Sequence, residues 1–327
     1  SGTTASIVSI GGSSSTPEPL QPLNVESYHL ILDAEKDFER PLEITRGGLL
    51  YTAMNEREVL ELHTFDKEIR RMGIDCKLMD GPEARREEPL LCSEVTAALL
   101  NPASYHLNPF RLVDGYLGAA LGNGSLVEYG VEVQSIEVSN DRIDRVVTNK
   151  GDYHADWAVV AGGAYTPQIL SSLSVQIPIV PARGQVILTE ACHRMTDHVI
   201  MFLNHLYIRQ TVSGNFYLGS HTEFVGFENR ITLEKMTAFT KAFVQAVPLL
   251  GRLRALRFFA GFRPICEDNL PVIGPMPDCS RLIVASGHGR TGVRFSAGTG
   301  KAVSELILDG ETEHSIEAFA VDRFAGS

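Results

Sequence analysis

The sequence predicts an α/β protein of two interwoven lobes. Three observations point there. Helical periodicity alternates along the 327 residues with two kinds of strand, one short and apolar, the other polar on alternate residues and meandering. Both kinds recur on either side of the chain's midpoint, which argues against two consecutive domains. Finally, the apolar run "RLIVA" is followed by "SGHGRTGV", residues 286–293, where Gly287, Gly289 and Gly292 spell G-x-G-x-x-G ahead of a helical stretch.

The elements follow in order. "GGSSSTPEPLQP" has the composition of a mobile loop or linker. A helical pattern covers residues 24–38, and "GGLLYTA" reads as a short strand. Residues 55–73 form a helix whose apolar positions Val59, Leu60, Phe65 and Ile69 roughly keep the 3.6 period, with Asn55 as N-cap and Glu56 and Glu58 at its positive end. "HLNPF" starts another, capped by Asn108 with Pro109 in the first position. Residues 125–164 switch to period 2, with turns at "SND" and "NKGD", and end in the fully apolar "AVVAGG". Residues 180–220 add the strands "GQVILTE", "LYIRQT" and "NFYLGS". An amphipathic helix follows at about 230–247, and then a long strand, "ALRFFAGFRP". There is no internal repeat.

Hydrophobic residues make up 44% and charged residues 21% of the chain, ordinary values for a globular enzyme. The formal net charge of -11 and the lack of a basic stripe exclude a nucleic-acid surface. Five scattered cysteines without C-x-x-C pairs read as reduced thiols, and the ten histidines form no metal-ligand pattern. No apolar run is long enough to cross a bilayer, and the first residues lack the features of a secretory signal. The expectation is a cytoplasmic protein without a metal.

The glycine loop admits two readings. A pyrophosphate site needs a following strand with an acidic residue about 20 positions on. The segment after the last helix, "ETEHSIEAFAVDRF", is too polar for a buried strand, and Asp309 and Glu311 fall at a helix end. The other reading uses the same physics. A helix N-terminus offers unpaired N–H donors and partial positive charge, suited to the N1–C2=O edge of a reduced flavin. Glycines let the backbone approach a flat ring closely. Arg290 can add a full charge to that edge; from spacing alone it reads equally well as a solvated loop arginine.

"GFRPICEDNLPVIGPMPDCSRLIVASGHGRTGVRFSAGTGKAVSELILDG", residues 261–310, resembles the C-terminal signature of the D-amino-acid-oxidase-like flavoprotein family. That family includes glycine oxidase, sarcosine oxidase and amine or opine dehydrogenases. "RGGLLY", "HLNPFRLVDGYLGAA", "AVVAGGAYT" and "VPARGQVIL" occur in the family's order. The resemblance implies an FAD-binding Rossmann-like lobe (residues 1–40, 106–178 and 260–327) interleaved with an α+β substrate lobe on an antiparallel sheet (41–105 and 179–259). It implies FAD contacts from Ser1, Thr3, Thr4 and Ser6 in "SGTTAS", which would otherwise read as a frayed terminus. Val133 would lie at the adenine, and Gly162 and Gly163 at the phosphates and ribose. Gly287, His288, Gly289, Arg290, Thr291, Gly292 and Val293 would lie under the isoalloxazine. As a lone histidine beside glycines, His288 otherwise reads as a local hydrogen-bonding group.

The implied activity is oxidation of a small amino acid or secondary amine by hydride transfer from Cα to flavin N5, which needs little beyond placement of the substrate. No nucleophilic triad competes with it. Arg263, in the family's Arg-Pro element, is the candidate carboxylate clamp, because guanidinium matches a carboxylate bidentately. Tyr207 and Arg209 are further candidates on the substrate sheet, with Tyr217 behind them; ordinary sheet residues are their alternative. The alternatives in function are a non-catalytic flavin-binding subunit of a larger dehydrogenase, and an NAD enzyme using residues 287–292. The family also places a βαβ segment with G-x-G-x-x-G before "SGTTAS", on the order of 30–45 residues. The expectation is that a short separate polypeptide supplies it, from a split gene or a cleaved precursor, unless the sequence is only a piece of a longer one.

Overall fold

The computed structural model describes residues 4–11, 17–173, 176–203 and 206–324, the side chains of residues 220 and 221 aside. The chain begins with β1 (Ile7–Ser9), α1 (Gln21–Ala34), β2 (Leu49–Ala53), α2 (Glu56–Arg71), β3 (Lys77–Asp80), α3 (Gly81–Glu87), β4 (Ala97–Asn101), β5 (Ser104–His106) and α4 (Pro109–Gly122). A meander follows: β6 (Val133–Ser139), β7 (Arg142–Thr148) and β8 (Gly151–Tyr153), then β9 (Ala158–Val160) and α5 (Thr166–Ile169). The remainder is β10 (Ile179–Ala191), β11 (Val199–Phe202), β12 (Tyr207–Gln210), β13 (Asn215–Glu223), α6 (Leu233–Ala246), β14 (Ala255–Cys266), β15 (Val272–Met276), β16 (Cys279–Ser286) and α7 (Gly292–Leu308). None of these helices is long and apolar enough to cross a membrane.

The two kinds of strand sort into different sheets. Eight form one large sheet in the order β14-β10-β13-β12-β11-β2-β4-β3. Within it β11 and β2 are parallel and the other pairings antiparallel. The apolar strands make a small sheet, β15-β16-β9, in which β16 and β9 run parallel. Strands of the large sheet come from residues 49 to 266, and β9 of the small sheet falls between them in sequence, so the two sheets are interleaved along the chain.

Local chemistry explains several helix starts. The Asn55 side chain accepts from Glu58 N–H and starts α2, whose buried face is Leu62, Phe65 and Ile69. Phe65 and Ile69 are buried as the period predicts, but Leu60 is 69% exposed and Leu62 takes its place on the buried face. Asn108 caps α4 by accepting from Phe110 and Arg111 N–H, with Pro109 in the first turn. The linker reading of "GGSSSTPEPLQP" needs correction at its end. Residues 12–16 lie outside the described residues, but a 3-10 turn over Glu18–Leu20 runs directly into α1. Pro19 and Pro22 sit in first turns, where a missing N–H costs nothing.

Alternation then divides the two faces of the large sheet. On one face Ile187, Ile208, Phe216 and Leu218 pack with Met236, Phe239 and Phe243 of α6. On the other, Val186, Tyr207 and Tyr217 form a separate cluster against Ala5, Leu188 and Phe259. A hydrophobic core needs one of these faces; the other is left for aromatic and charged residues.

Candidate active site

The open face of the large sheet carries the candidate site. Strand register places its residues in levels: Gly184 opposite Gly261, Val186 opposite Gly219 and Phe259, and Leu188 opposite Tyr217 and Arg257. Tyr207 joins the Gly219 level and Arg209 the Tyr217 level. Residues directly opposite share a face, so these side chains project together.

Arg263, opposite Ala182, sends its guanidinium along this face over Gly184. A Cβ at residue 184 would lie 2.6 Å from its Cζ, so only glycine leaves this path open. Arg263 Nη1 donates to Thr222 Oγ1 at 3.1 Å. Gly219 does the same for Tyr207: a Cβ there would lie 2.0 Å from the phenol oxygen. The Tyr207 hydroxyl is buried without a hydrogen-bond partner among the described residues, and burial raises its pKa, so it stays a protonated donor. Tyr217 stacks on Tyr207 at 6.4 Å between ring centroids. The Arg209 guanidinium lies 4.6 Å over the Tyr217 ring, in cation–π contact.

The glycine loop is tied to this face through the backbone. Gly289 N–H donates to Pro264 O at 2.9 Å, and His288 bridges Ile265. Gly287 (φ +76°) and Gly289 (φ +55°) both occupy the left-handed region, which makes the tight turn possible. Thr291 closes it, its N–H and hydroxyl both donating to His288 O. Helix α7 starts at Gly292 with no side-chain cap. Arg290 is exposed, and its positive charge acts on Arg263. Val293 packs toward Val8 and Tyr105. His288 Nε2 lies 2.9 Å from Thr299 Oγ1, and burial holds its pKa at about 4, so the imidazole is neutral.

Two further sequence candidates lie beside this loop. Gly162 and Gly163 follow β9, and Gly163 O accepts from the hydroxyl of Ser286, the residue before Gly287. Both loops leave the carboxyl ends of the parallel strands β9 and β16, where open α/β sheets receive ligands. The N-terminal stretch arrives from the other side. Ser1 and Thr3 lie outside the described residues. Ser6 is buried at φ +55°, with its N–H on Thr4 Oγ1, and β1 then pairs with β5, Ile7 opposite His106. A non-glycine residue in that conformation marks a strained turn. Val133 opens β6 and packs on the cluster containing Val160 and Val284.

A cavity of about 640 Å³ opens over the Tyr217 end of the face. Its lining includes Arg209, Tyr217, Arg257, Phe259, His106 and Glu43. The last four carry no signal of their own in the sequence. Glu43 stands at φ +57° and accepts from Asn108 Nδ2 at 2.9 Å. His106 is 2% exposed, and burial with the nearby charges of Arg209 and Arg194 lowers its pKa to about 3. One group with metal-ligand spacing exists among the described residues, Glu26, Glu313 and His314, and the Lys301 ammonium sits within 2.6 Å of both carboxylates.

His106 sets a testable pH dependence. Its imidazole titrates near 6.5 when unfolded and near 3 when folded, so below pH 6.5 the unfolded chain binds the extra proton. The stability it contributes is complete above about pH 6.5 and falls by up to about 1.4 kcal/mol per pH unit as the solution is acidified. Urea melts at pH 7 and pH 5 should show the wild type losing more stability than His106→Gln. Equal losses would contradict the assignment.

Comparison with known proteins places the chain. Residues 1–306 match the family model DAO, FAD dependent oxidoreductase. The hydrogen cyanide synthase subunit HcnC of Pseudomonas aeruginosa is 30% identical over 321 residues, which is 95% of this chain and 76% of that protein. Glycine oxidase of Geobacillus kaustophilus is 25% identical over 318 residues, 95% of this chain and 84% of that one. A crystal structure of glycine oxidase from Geobacillus kaustophilus shares the fold, with a TM-score of 0.94 at 23% identity, covering 99% of this chain and 88% of its own.

Proposed function

We propose that this chain, which belongs to the DAO family of FAD dependent oxidoreductases, oxidises a small amino acid or secondary amine at the carbon bearing the nitrogen. FAD is the cofactor, and when bound it supplies the acceptor for the hydride leaving Cα. The residues present fit it. Gly163 and Gly287, with φ of +56° and +76°, shape adjoining loops at the ends of β9 and β16. The uncapped first turn of α7 offers N–H groups and partial positive charge to an electron-rich ring edge.

The chain's own residues then have simple tasks. Arg263 binds the substrate carboxylate, and Thr222 fixes the angle of its guanidinium. Tyr207 donates its buried hydroxyl to the same carboxylate. Neutral His288, bonded to Thr299, holds the loop and carries no catalytic proton. The observation that carries the reading is the Gly289 to Pro264 hydrogen bond, because it fixes the loop one residue from Arg263. Carboxylate clamp and cofactor seat are thereby set at a constant separation.

In this reading residues 1–40, 106–178 and 260–327 form the FAD lobe, and 41–105 and 179–259 the substrate lobe. A βαβ segment carrying G-x-G-x-x-G joins the small sheet beside β9, an edge strand whose Val159 is 43% exposed. Whether it is joined to this chain or held as a separate polypeptide, mass spectrometry of the purified holoprotein would detect it. The relative HcnC is named a subunit, which favours work within a complex. A screen of amino acids and secondary amines with oxygen and with a dye as acceptors tests the activity. Turnover of at least one small compound is expected; none with either acceptor would overturn the reading.

A further inference from the structure

The cavity wall carries a buried guanidinium, Arg209, distinct from Arg263, which lies outside that lining. Arg209 is 4% exposed, and its Nε has no hydrogen-bond partner among the described residues. His106 is equally buried, and its Nε2 also lacks one among them. Both residues line the same cavity. Buried guanidinium groups are kept where an anion meets them; the acidic side chain in this lining, Glu43, acts on Arg209 through its charge but makes its hydrogen bond with Asn108 and lies 3.8 Å from Arg111.

We propose that Arg209 and His106 form a second carboxylate subsite, so that the substrate is an amino acid or secondary amine carrying a distal carboxylate. The inference rests on the reading above, in which Arg263 holds the first carboxylate. Strand register supports the spacing. The Arg263 guanidinium lies at the Gly184 level and Arg209 springs from the Leu188 level, four residues along the same face. At a strand rise of about 3.3 Å per residue, the two levels are about 13 Å apart, a span that the Arg209 side chain and a carboxylate at each end help to close. Tyr207 stands at the level between them. Leu188 and Phe259 line the wall of the cavity and suit a methylene bridge between the two charged ends. Arg257 is exposed at its rim, where it would draw anions inward.

Calorimetric titration of the FAD-loaded holoprotein with glutarate and with butyrate tests this, since neither has a carbon–nitrogen bond to oxidise. Glutarate should bind at least tenfold tighter than butyrate; Arg209→Met should erase the difference and Arg209→Lys restore part of it. Equal binding in the wild type would overturn the proposal, and that comparison decides alone if the variants fail to fold. A difference that survives in a folded Arg209→Met protein would overturn it too. The parent reading fails separately: glutarate would still bind while no amino acid or amine is oxidised.

Discussion

Arg263→Lys should raise the KM for a carboxylate substrate about 100-fold while the protein keeps its FAD. A lysine retains the charge but offers a point contact in place of a planar fork, and a bidentate charged pair is worth about 2–3 kcal/mol, or roughly 100-fold. Flavin content should stay level because Arg263 meets the loop through its neighbour's backbone: the bond runs from Gly289 N–H to Pro264 O, and no side chain takes part. Gly184→Ala provides the matching control. Its Cβ would displace the Arg263 guanidinium, lying 2.6 Å from Cζ, yet the clash is with the far end of a flexible side chain. The fold should survive and KM should rise, as with the lysine variant. Unchanged kinetics in both proteins would move the clamp elsewhere, with Arg209 next in line.

The second large effect is expected at the loop. Gly289→Val should lower FAD affinity at least tenfold, measured by flavin retention during dialysis. At φ +55° a β-branched residue is strained by about 1–3 kcal/mol, and its Cβ would press on Ile265 Cδ1 at 3.3 Å. Relief of that strain requires the loop to leave Pro264, and the start of α7 moves with it. Gly300→Ala, in the same helix with open space around it, should leave FAD affinity intact. Equal retention of flavin by Gly289→Val and the wild type would show that the loop does not seat the cofactor.

How much of this was readable in the sequence depends on how local each signal is. Asn55 and Asn108 announce their helices because capping is decided within three residues. The alternation in "LYIRQT" and "NFYLGS" identifies strands, and Tyr207, Arg209 and Tyr217 do emerge on one face. What alternation cannot supply is the pairing partner. That Gly184 and Gly219 are the floor beneath Arg263 and Tyr207 follows from the pairing of β10 with β14, far apart in sequence, and of β12 with β13. The same holds for His106 and Glu43, which reach the cavity only because β5 pairs with β1 and Asn108 holds Glu43. The strands β3 and β4 were missed too. In β4, "AALLN" is apolar at nearly every position, and a run buried on both faces shows no period to read.

Oxidation of an amino acid or amine by the bound flavin is tested by anaerobic mixing of the native holoprotein with small amino acids and secondary amines, followed by visible absorption. A flavin spectrum is expected at rest, with loss of its long-wavelength band on addition of a substrate, reversed when an acceptor is admitted. A holoprotein that carries no flavin, or a bound flavin that no amino acid or amine bleaches, would contradict it.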